Sequence, residues 1–302
     1  MPLDVVTGAF GYIGRYIARR LLAQGRRLKT LTGHPQRPNP FGDAVEVASF
    51  SFHRPGELER HLEGCDTLYN TYWIRFAHGG IDFERAVSNS RTLVRAARRA
   101  GVRKFVHISI TNPSEDSPLP YFRGKAQVER CIGESGLSYS IIRPTVVFGA
   151  EDILINNIAW LLRRLPLFAI PGSGDYRLQP VFVEDLAAIA VEAGQQPHSE
   201  TLDAVGPEIH CFEGLVRLLA KTVGSRALIL HVPPQAALLA AKVVGLMVGD
   251  VILTADEVRG LMANLLVSAH PPRGRKPLTQ WLAENADRVG ASYSSEIARH
   301  YR

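Results

Sequence analysis

The stretch Leu3-Asp4-Val5-Val6-Thr7-Gly8-Ala9-Phe10-Gly11-Tyr12-Ile13-Gly14 decides how this chain is read. Its first four residues are short and largely apolar, as a buried parallel strand requires. After it, Ile13, Ile17, Leu21 and Leu22 recur at helical spacing, and Gly25 closes the helix. The three glycines therefore fall where a strand turns into a helix, the context in which such a pattern carries meaning. Gly8 permits a tight turn, Gly11 lets backbone N–H groups approach a pyrophosphate, and Gly14 lets helix and strand pack closely. The helix N-terminus adds donors and a partial positive charge. The whole turn, Phe10, Tyr12 and Ile13 included, is expected to line a bound dinucleotide.

Working outward, residues 28–32 read as a second strand. The residue at its end decides the adenosine ribose, an acid taking the 2′-OH and a base a 2′-phosphate. The sequence there is Leu31-Thr32-Gly33-His34 with Arg37 close behind, and no acid; Arg15, directly after the last glycine, also reaches that ribose. NADP(H) is therefore expected over NAD(H). Further strands are expected at 45–47, within 64–73, at 104–109 and at 139–143, alternating with helices at 57–62, 83–100 and 121–134. Such alternation predicts an α/β fold, a Rossmann-type doubly wound parallel sheet covered on both faces. Residues 1–190 would form this nucleotide-binding domain and 191–302 a small mixed cap packed closely against it.

The chemistry is expected at Tyr121-Phe122-Arg123-Gly124-Lys125. A tyrosine and a lysine four apart share one helix face. The ammonium, with a nicotinamide's positive charge, favours phenolate, and a phenol so tuned passes a proton to or from a substrate oxygen while hydride moves.

With these residues in place the chain resembles the short-chain dehydrogenase/reductase superfamily, in its extended or atypical, epimerase-like branch. The resemblance is carried by Gly8-x-x-Gly11-x-x-Gly14, Gly64-x-Asp66, Asn89, Tyr121-x-x-x-Lys125, Arg143-Pro144, Phe148-Gly149 and Val181 to Asp185. It implies that the glycines hold the pyrophosphate, Asp66 the adenine and Lys125 the nicotinamide ribose, with Tyr121 as acid/base. Asn89 and Pro144 join the implied cofactor contacts. Two positions depart from the pattern. The family's catalytic Ser or Thr position is Ile110; Ser109 and Thr111, which flank it, are the candidate catalytic hydroxyls, although a strand turns both away from the side Ile110 faces unless the chain bends there. Small residues usually found after the fourth strand are replaced by Tyr72 and Trp73, as core aromatics or as a reshaped pocket floor. Both departures resemble atypical members such as the mitochondrial complex I accessory subunit family, some of which use NADPH structurally.

Composition sets the outer bounds. The 302 residues are 46% hydrophobic and 21% charged, enough apolar material for a large core. The net charge of +6 is dispersed over helix ends and outer faces, with no aromatic-interleaved basic stripe, so nucleic acid is not expected. Cys65, Cys131 and Cys211 are far apart with no CxxC, which argues for a reducing compartment and against a structural metal. Met1-Pro2-Leu3-Asp4 leads straight into a core strand, so a cytoplasmic protein is expected. His78-Gly79-Gly80 is read as an edge of the substrate pocket, although a lone loop histidine usually faces solvent. Residues 236–248 are Leu, Ala and Val nearly throughout, which fits a core helix, a homodimer seam, a groove for a quinone-like substrate, or a membrane-surface contact.

The sequence thus favours an NADP(H)-dependent oxidoreductase acting on a carbonyl or hydroxyl of an apolar small molecule. A non-catalytic NADPH-holding scaffold or redox sensor is the alternative that Ile110 and Tyr72-Trp73 support. A nucleotide-sugar epimerase or dehydratase with tightly held NAD is disfavoured by the absent acid and the apolar cap.

Overall fold

The computed structural model describes residues 2–300. The chain runs β1 (Leu3–Thr7), α1 (Tyr12–Ala23), β2 (Arg27–Thr32), β3 (Val45–Ser49), α2 (Pro55–Leu62), β4 (Cys65–Asn70), α3 (Phe83–Arg99), β5 (Lys104–Ile108), α4 (Pro120–Gly133) and β6 (Ser138–Pro144). It continues with β7 (Val147–Phe148), α5 (Leu154–Arg164), β8 (Leu167–Pro171), β9 (Arg177–Leu178), β10 (Val181–Phe182), α6 (Val183–Gln195), β11 (Glu200–Ala204) and β12 (His210–Cys211). Then follow α7 (Phe212–Thr222), β13 (Leu228–Val232), α8 (Pro234–Val248), α9 (Ala255–Met262), α10 (Leu278–Glu284) and α11 (Glu296–His300).

Seven strands form one sheet in the order β11-β6-β5-β4-β1-β2-β3, with every pairing parallel. The order reverses between β1 and β4, and in such sheets ligands bind beyond the carboxyl ends of the strands at that point. The Rossmann-type expectation is met. Helices α2, α3 and α4 cover one face, where Val5, Leu68, Leu93, Phe105, Val128 and Ile132 are fully buried together. Local chemistry sets the helix ends: Asp82 accepts from the Arg85 N–H at the start of α3, and Gly101 follows α3 at φ +70°. The other face carries α1 and α6, and Gly194 lies so close to Tyr69 that a Cβ there would stand 2.3 Å from its hydroxyl.

The chain divides differently from the sequential 1–190 and 191–302 split. Unit 1 comprises 1–144 and 183–204, and unit 2 comprises 145–182 and 205–302. The reason is topological: after β6 the chain leaves the sheet, then returns to lay down α6 and add β11 beside β6. Unit 2 has its own core, in which Phe148, Leu162, Ile170, Tyr176, Phe212 and Trp281 pack together. Its strands only pair in twos, β7 with β10, β9 with β12 and β8 with β13. Residues 177–182 form two short strands with different partners, because Pro180 has no N–H to continue a ladder.

Candidate functional site

The glycine turn sits at the carboxyl end of β1. Gly8 takes φ +67°, its N–H donates to the Leu31 carbonyl at 2.9 Å, and the Gly11 N–H donates back to the Gly8 carbonyl at 2.8 Å. A Cβ on Gly14 would stand 2.2 Å from that same carbonyl oxygen, so helix and turn are in contact with no room for a side chain. Gly11 is the N-cap of α1, and no side chain caps the helix. A backbone cradle leading into an uncapped helix N-terminus fits a dinucleotide's pyrophosphate. The Arg15 guanidinium folds back to donate to the Phe10 carbonyl at 3.1 Å. At the end of β2 the His34 N–H donates to the Thr32 hydroxyl and the Arg37 N–H to the His34 carbonyl, both at 3.1 Å. Burial, and then the Arg37 charge, hold the His34 imidazole below its ordinary pKa. His34 and Arg37 are thus gathered one strand away from the glycine turn.

A second cluster lies at the carboxyl ends of β4 and β5, under α4. Lys125 is fully buried; its ammonium donates to the Ile108 carbonyl at 2.7 Å and lies 4.7 Å from the centre of the Trp73 ring. Burial, only partly opposed by Glu129, brings its pKa down to about 7. The Tyr121 ring stands edge-on to Trp73 at 6.0 Å and to Phe83 at 6.1 Å. Gly124, between Tyr121 and Lys125, has to be small, since a Cβ would meet the indole at 3.0 Å. Beneath them Asn70 Oδ1 accepts from the Thr7 hydroxyl and from the Tyr72 N–H, each at 3.1 Å. The Asn70 amide nitrogen therefore faces His107 Nδ1 at 3.0 Å, which assigns the ring proton to Nε2. His107 stays neutral, because complete burial and the Lys125 charge drive its pKa far down. His107 Nε2 and Trp73 Nε1 are both buried without a hydrogen-bond partner.

Several expected site residues are placed elsewhere or put to other use. Asp66 opens β4 at its amino end, far from the glycine turn. Arg103 binds its carboxylate at 2.7 Å and Arg26 at 2.8 Å, which holds it down at a pKa of about 2. The adenine assignment for Asp66 is therefore corrected: an acid at the amino end of a parallel strand cannot reach a ligand at the carboxyl end. Asn89 donates to the Tyr72 hydroxyl at 2.8 Å, so it pins that aromatic. The Ser109 hydroxyl donates to Glu129, which Arg143 also binds, so Ser109 serves a buried ion pair and its catalytic assignment falls. The N–H groups of Ser109 and Thr111 donate to the carbonyls of Ile142 and Pro144, so the chain stays extended past β5. Ser109 and Thr111 consequently face α4, the side from which Tyr121 and Lys125 come, and Ile110 faces away. Pro144 ends β6 and is buried. His78 and Ile81 exchange both backbone hydrogen bonds across Gly79-Gly80, which makes this segment a closed tight turn.

Three residues went unmarked in the sequence. Phe50 and Phe52 follow β3 and cluster with Tyr72, at ring separations of 4.2 to 5.3 Å, and His107 lies in the core of β5. The alternation Phe50-Ser51-Phe52 past a strand end was the available signal for the first two. For His107 it was a histidine in an otherwise apolar buried strand.

Comparison with known proteins agrees with this geometry. Residues 8–152 match the NAD(P)H-binding family. The mitochondrial NADH dehydrogenase [ubiquinone] 1 alpha subcomplex subunit 9 of Arabidopsis thaliana is 23% identical over 283 residues, 87% of this chain and 70% of that protein. The 4-hydroxy-2-methyl-3-oxo-4-farnesyl-3,4-dihydroquinoline-1-oxide ketoreductase of Stigmatella aurantiaca is 28% identical over 269 residues, 78% of each chain. Among solved structures, the triphenylmethane reductase of Citrobacter sp., complexed with NADP(H), superposes with a TM-score of 0.67 at 19% identity, covering 95% of this chain and 100% of that one. The reversed strand order, the glycine cradle and the match over residues 8–152 together give the chain an NAD(P)H-binding domain, similar to those of epimerase- and reductase-like proteins.

Proposed function

We propose that this chain is an NADP(H)-dependent reductase of a carbonyl on an apolar substrate, with Tyr121 as the proton donor. The observation that carries the reading is α4, which presents Tyr121 and Lys125 one turn apart over the carboxyl end of β5. The reduced nicotinamide, when bound, supplies the hydride. Tyr121 gives its phenolic proton to the carbonyl oxygen, and the Lys125 ammonium steadies the phenolate left behind. Thr111, on the face of the extended run that looks toward α4, is the hydroxyl assigned to orient the carbonyl, since Ser109 is committed to Glu129. Trp73, Phe83 and Phe122 surround the phenol with apolar edges, which suits a hydrophobic substrate. The Stigmatella relative, named for reducing a ketone on a farnesyl-bearing molecule, supports the same substrate class. NADP(H) is favoured by Arg15, His34 and Arg37 around the end of β2.

The test is Tyr121→Phe. Turnover of an apolar ketone should fall on the order of 100-fold or more, with NADPH affinity unchanged within twofold. Undiminished turnover in that variant ends the assignment. For the ribose, Arg37→Ala should weaken NADPH binding roughly tenfold and NADH binding little, since an arginine–phosphate pair is worth ~1.5–3 kcal/mol. Equal losses for both cofactors remove the argument for NADP(H). A cofactor-holding scaffold is the second reading, favoured by the Trp73 indole lying over Lys125. It predicts that wild type and Tyr121→Phe bind NADPH alike and turn over nothing.

A further inference from the structure

Among the described residues every exposed large hydrophobic side chain belongs to unit 2, and four of the nine stand on α8. The helix buries little: only Ala237 and Gly245 are inaccessible. At 100° per residue, Ala236, Leu239, Ala240, Val243, Leu246 and Met247 share one exposed face, with Lys242 and Gln235 on a single margin. Leu246 and Met247 are 78% and 77% exposed, which no ordinary surface helix requires. Helix α8 packs against β8, whose partner β13 is an edge strand. Phe168 and Ile170 of β8 point into the core, so Leu167 and its register partner Leu228 lie on the opposite face, as does Leu230; all three are exposed.

Charge singles out the occupant. From residue 214 to residue 249 there is no Asp or Glu, while Arg217, Lys221, Arg226 and Lys242 are basic. Arg217 is paired with Glu213, but no carboxylate among the described residues pairs with Lys221, Arg226 or Lys242. An open cavity of about 430 Å³ at the amino ends of β8 and β13 is lined by Arg163, Arg164 and Arg226, immediately before Leu167 and Leu228. Arg163 and Arg164 donate to the carbonyls of Val289, Ala286, Gly290 and Ala291, but no carboxylate among the described residues neutralises them. A second copy of this chain fits less well. The α8 face, ~22 Å long and roughly 10 Å wide, supplies only a fraction of the roughly 800 Å² per partner of a standard interface, and the added β8–β13 edge contributes just three exposed leucines. Pairing two such helices antiparallel would also bring two Lys242 margins together.

We propose that α8 and the β8–β13 edge form a docking surface for an anionic lipid bilayer. The apolar face of α8 lies in the headgroup–acyl boundary, and the arginine cavity with Lys242 meets anionic headgroups. This surface is independent of the redox reading, because none of its residues belongs to the glycine turn or to the Tyr121 cluster.

The experiment is flotation of this 302-residue chain with vesicles of phosphatidylcholine alone or containing roughly 30% phosphatidylserine, at low and at high salt. Expected is binding to the anionic vesicles at least tenfold stronger than to the neutral ones and weakened by salt. Leu246→Asp with Met247→Asp should reduce it at least tenfold, and Arg226→Glu with Lys242→Glu should abolish the preference for anionic lipid. NADPH binding, unchanged in both variants, shows that they are folded. The proposal is overturned if the protein stays with the solvent for both vesicle types at low salt. It is equally overturned if the variants float as wild type does, or if sedimentation shows a dimer that Leu246→Asp with Met247→Asp dissolves, which would make a second copy the occupant.

Discussion

Unit 1 and unit 2 close their cores differently, and unit 2 is the more apolar of the two. In unit 1 a seven-stranded parallel sheet is covered on both faces, and none of its described large hydrophobic residues is exposed. In unit 2 three separate strand pairs and several helices surround one cluster, and among the described residues nine large apolar side chains remain in solvent. The difference teaches that more apolar chain does not by itself close a core, because topology decides how much of it can be covered. A parallel sheet with crossover helices buries both faces of every central strand, whereas a two-stranded piece leaves an edge and a face behind. It also separates two kinds of functional surface. Unit 1 concentrates its polar backbone at the carboxyl ends of the strands, and unit 2 spreads apolar surface over α8.

The contrast would break first at the glycine cradle. Gly14→Val puts side-chain atoms where the Gly8 carbonyl already stands at 2.2 Å from an ideal Cβ, and neither backbone segment can yield without opening the turn. Loss of the aligned N–H donors, at ~1.5–3 kcal/mol for a hydrogen bond to a charged group, lowers NADPH affinity on the order of 100-fold. Titration followed by nicotinamide fluorescence checks this. Wild-type affinity in Gly14→Val would move the cofactor out of unit 1.

Core against surface gives the next largest effect. Leu93→Ala, at a fully buried position of α3, should cost ~2–5 kcal/mol in chemical denaturation. Leu246→Ser on α8, where the side chain is 78% exposed, should stay within about 0.5 kcal/mol of wild type. A large loss for Leu246→Ser would show that α8 is covered in the native protein.

How much of this was legible in the sequence divides along the same line. The strand–turn–helix at Gly8 to Gly14, the alternation of short apolar runs with amphipathic helices, and the Tyr121–Lys125 pair are local patterns, and the fold and the α4 cluster follow from them. What went unread depends on distance in three dimensions. Asp66 lies at the wrong end of its strand for adenine because Arg26 and Arg103, 40 and 37 residues away, claim it. Ser109 was a candidate catalytic hydroxyl in the sequence, but in the structure it donates a hydrogen bond to Glu129, twenty residues on. The return of α6 and β11 to the first unit left no mark in composition, since 183–204 reads like any helix and strand. Residues 236–248 were recognised as apolar, but periodicity cannot distinguish a buried helix from an exposed one when every face is Ala, Leu or Val.

The finest test of the comparison is pH, because each unit buries one ionisable group that titrates near 7 with opposite consequences. Lys125 in unit 1 is lowered to about 7 by burial, from the usual lysine range. Between about 7 and ~10.5 the unfolded chain holds a proton that the folded chain lacks, so this lysine's contribution to stability rises with pH across that window. Below about 7 both states are protonated and the contribution is flat at its least favourable. Asp152 in unit 2 is raised to about 7, also by burial, while accepting hydrogen bonds from the Ile155 and Gly149 N–H groups and from Asn156. Between ~3.9 and about 7 the folded chain holds the proton and the unfolded chain does not. This carboxyl's contribution therefore falls as pH rises to about 7 and is flat above. Each slope is at most ~1.4 kcal/mol per pH unit. Denaturation curves at pH 5, 7 and 9 resolve them: Lys125→Met should remove part of the gain between 7 and 9, and Asp152→Asn part of the loss between 5 and 7. Should either variant flatten the other's window instead, the two buried groups would be titrating as one coupled system, and the separation of the units would not extend to their electrostatics.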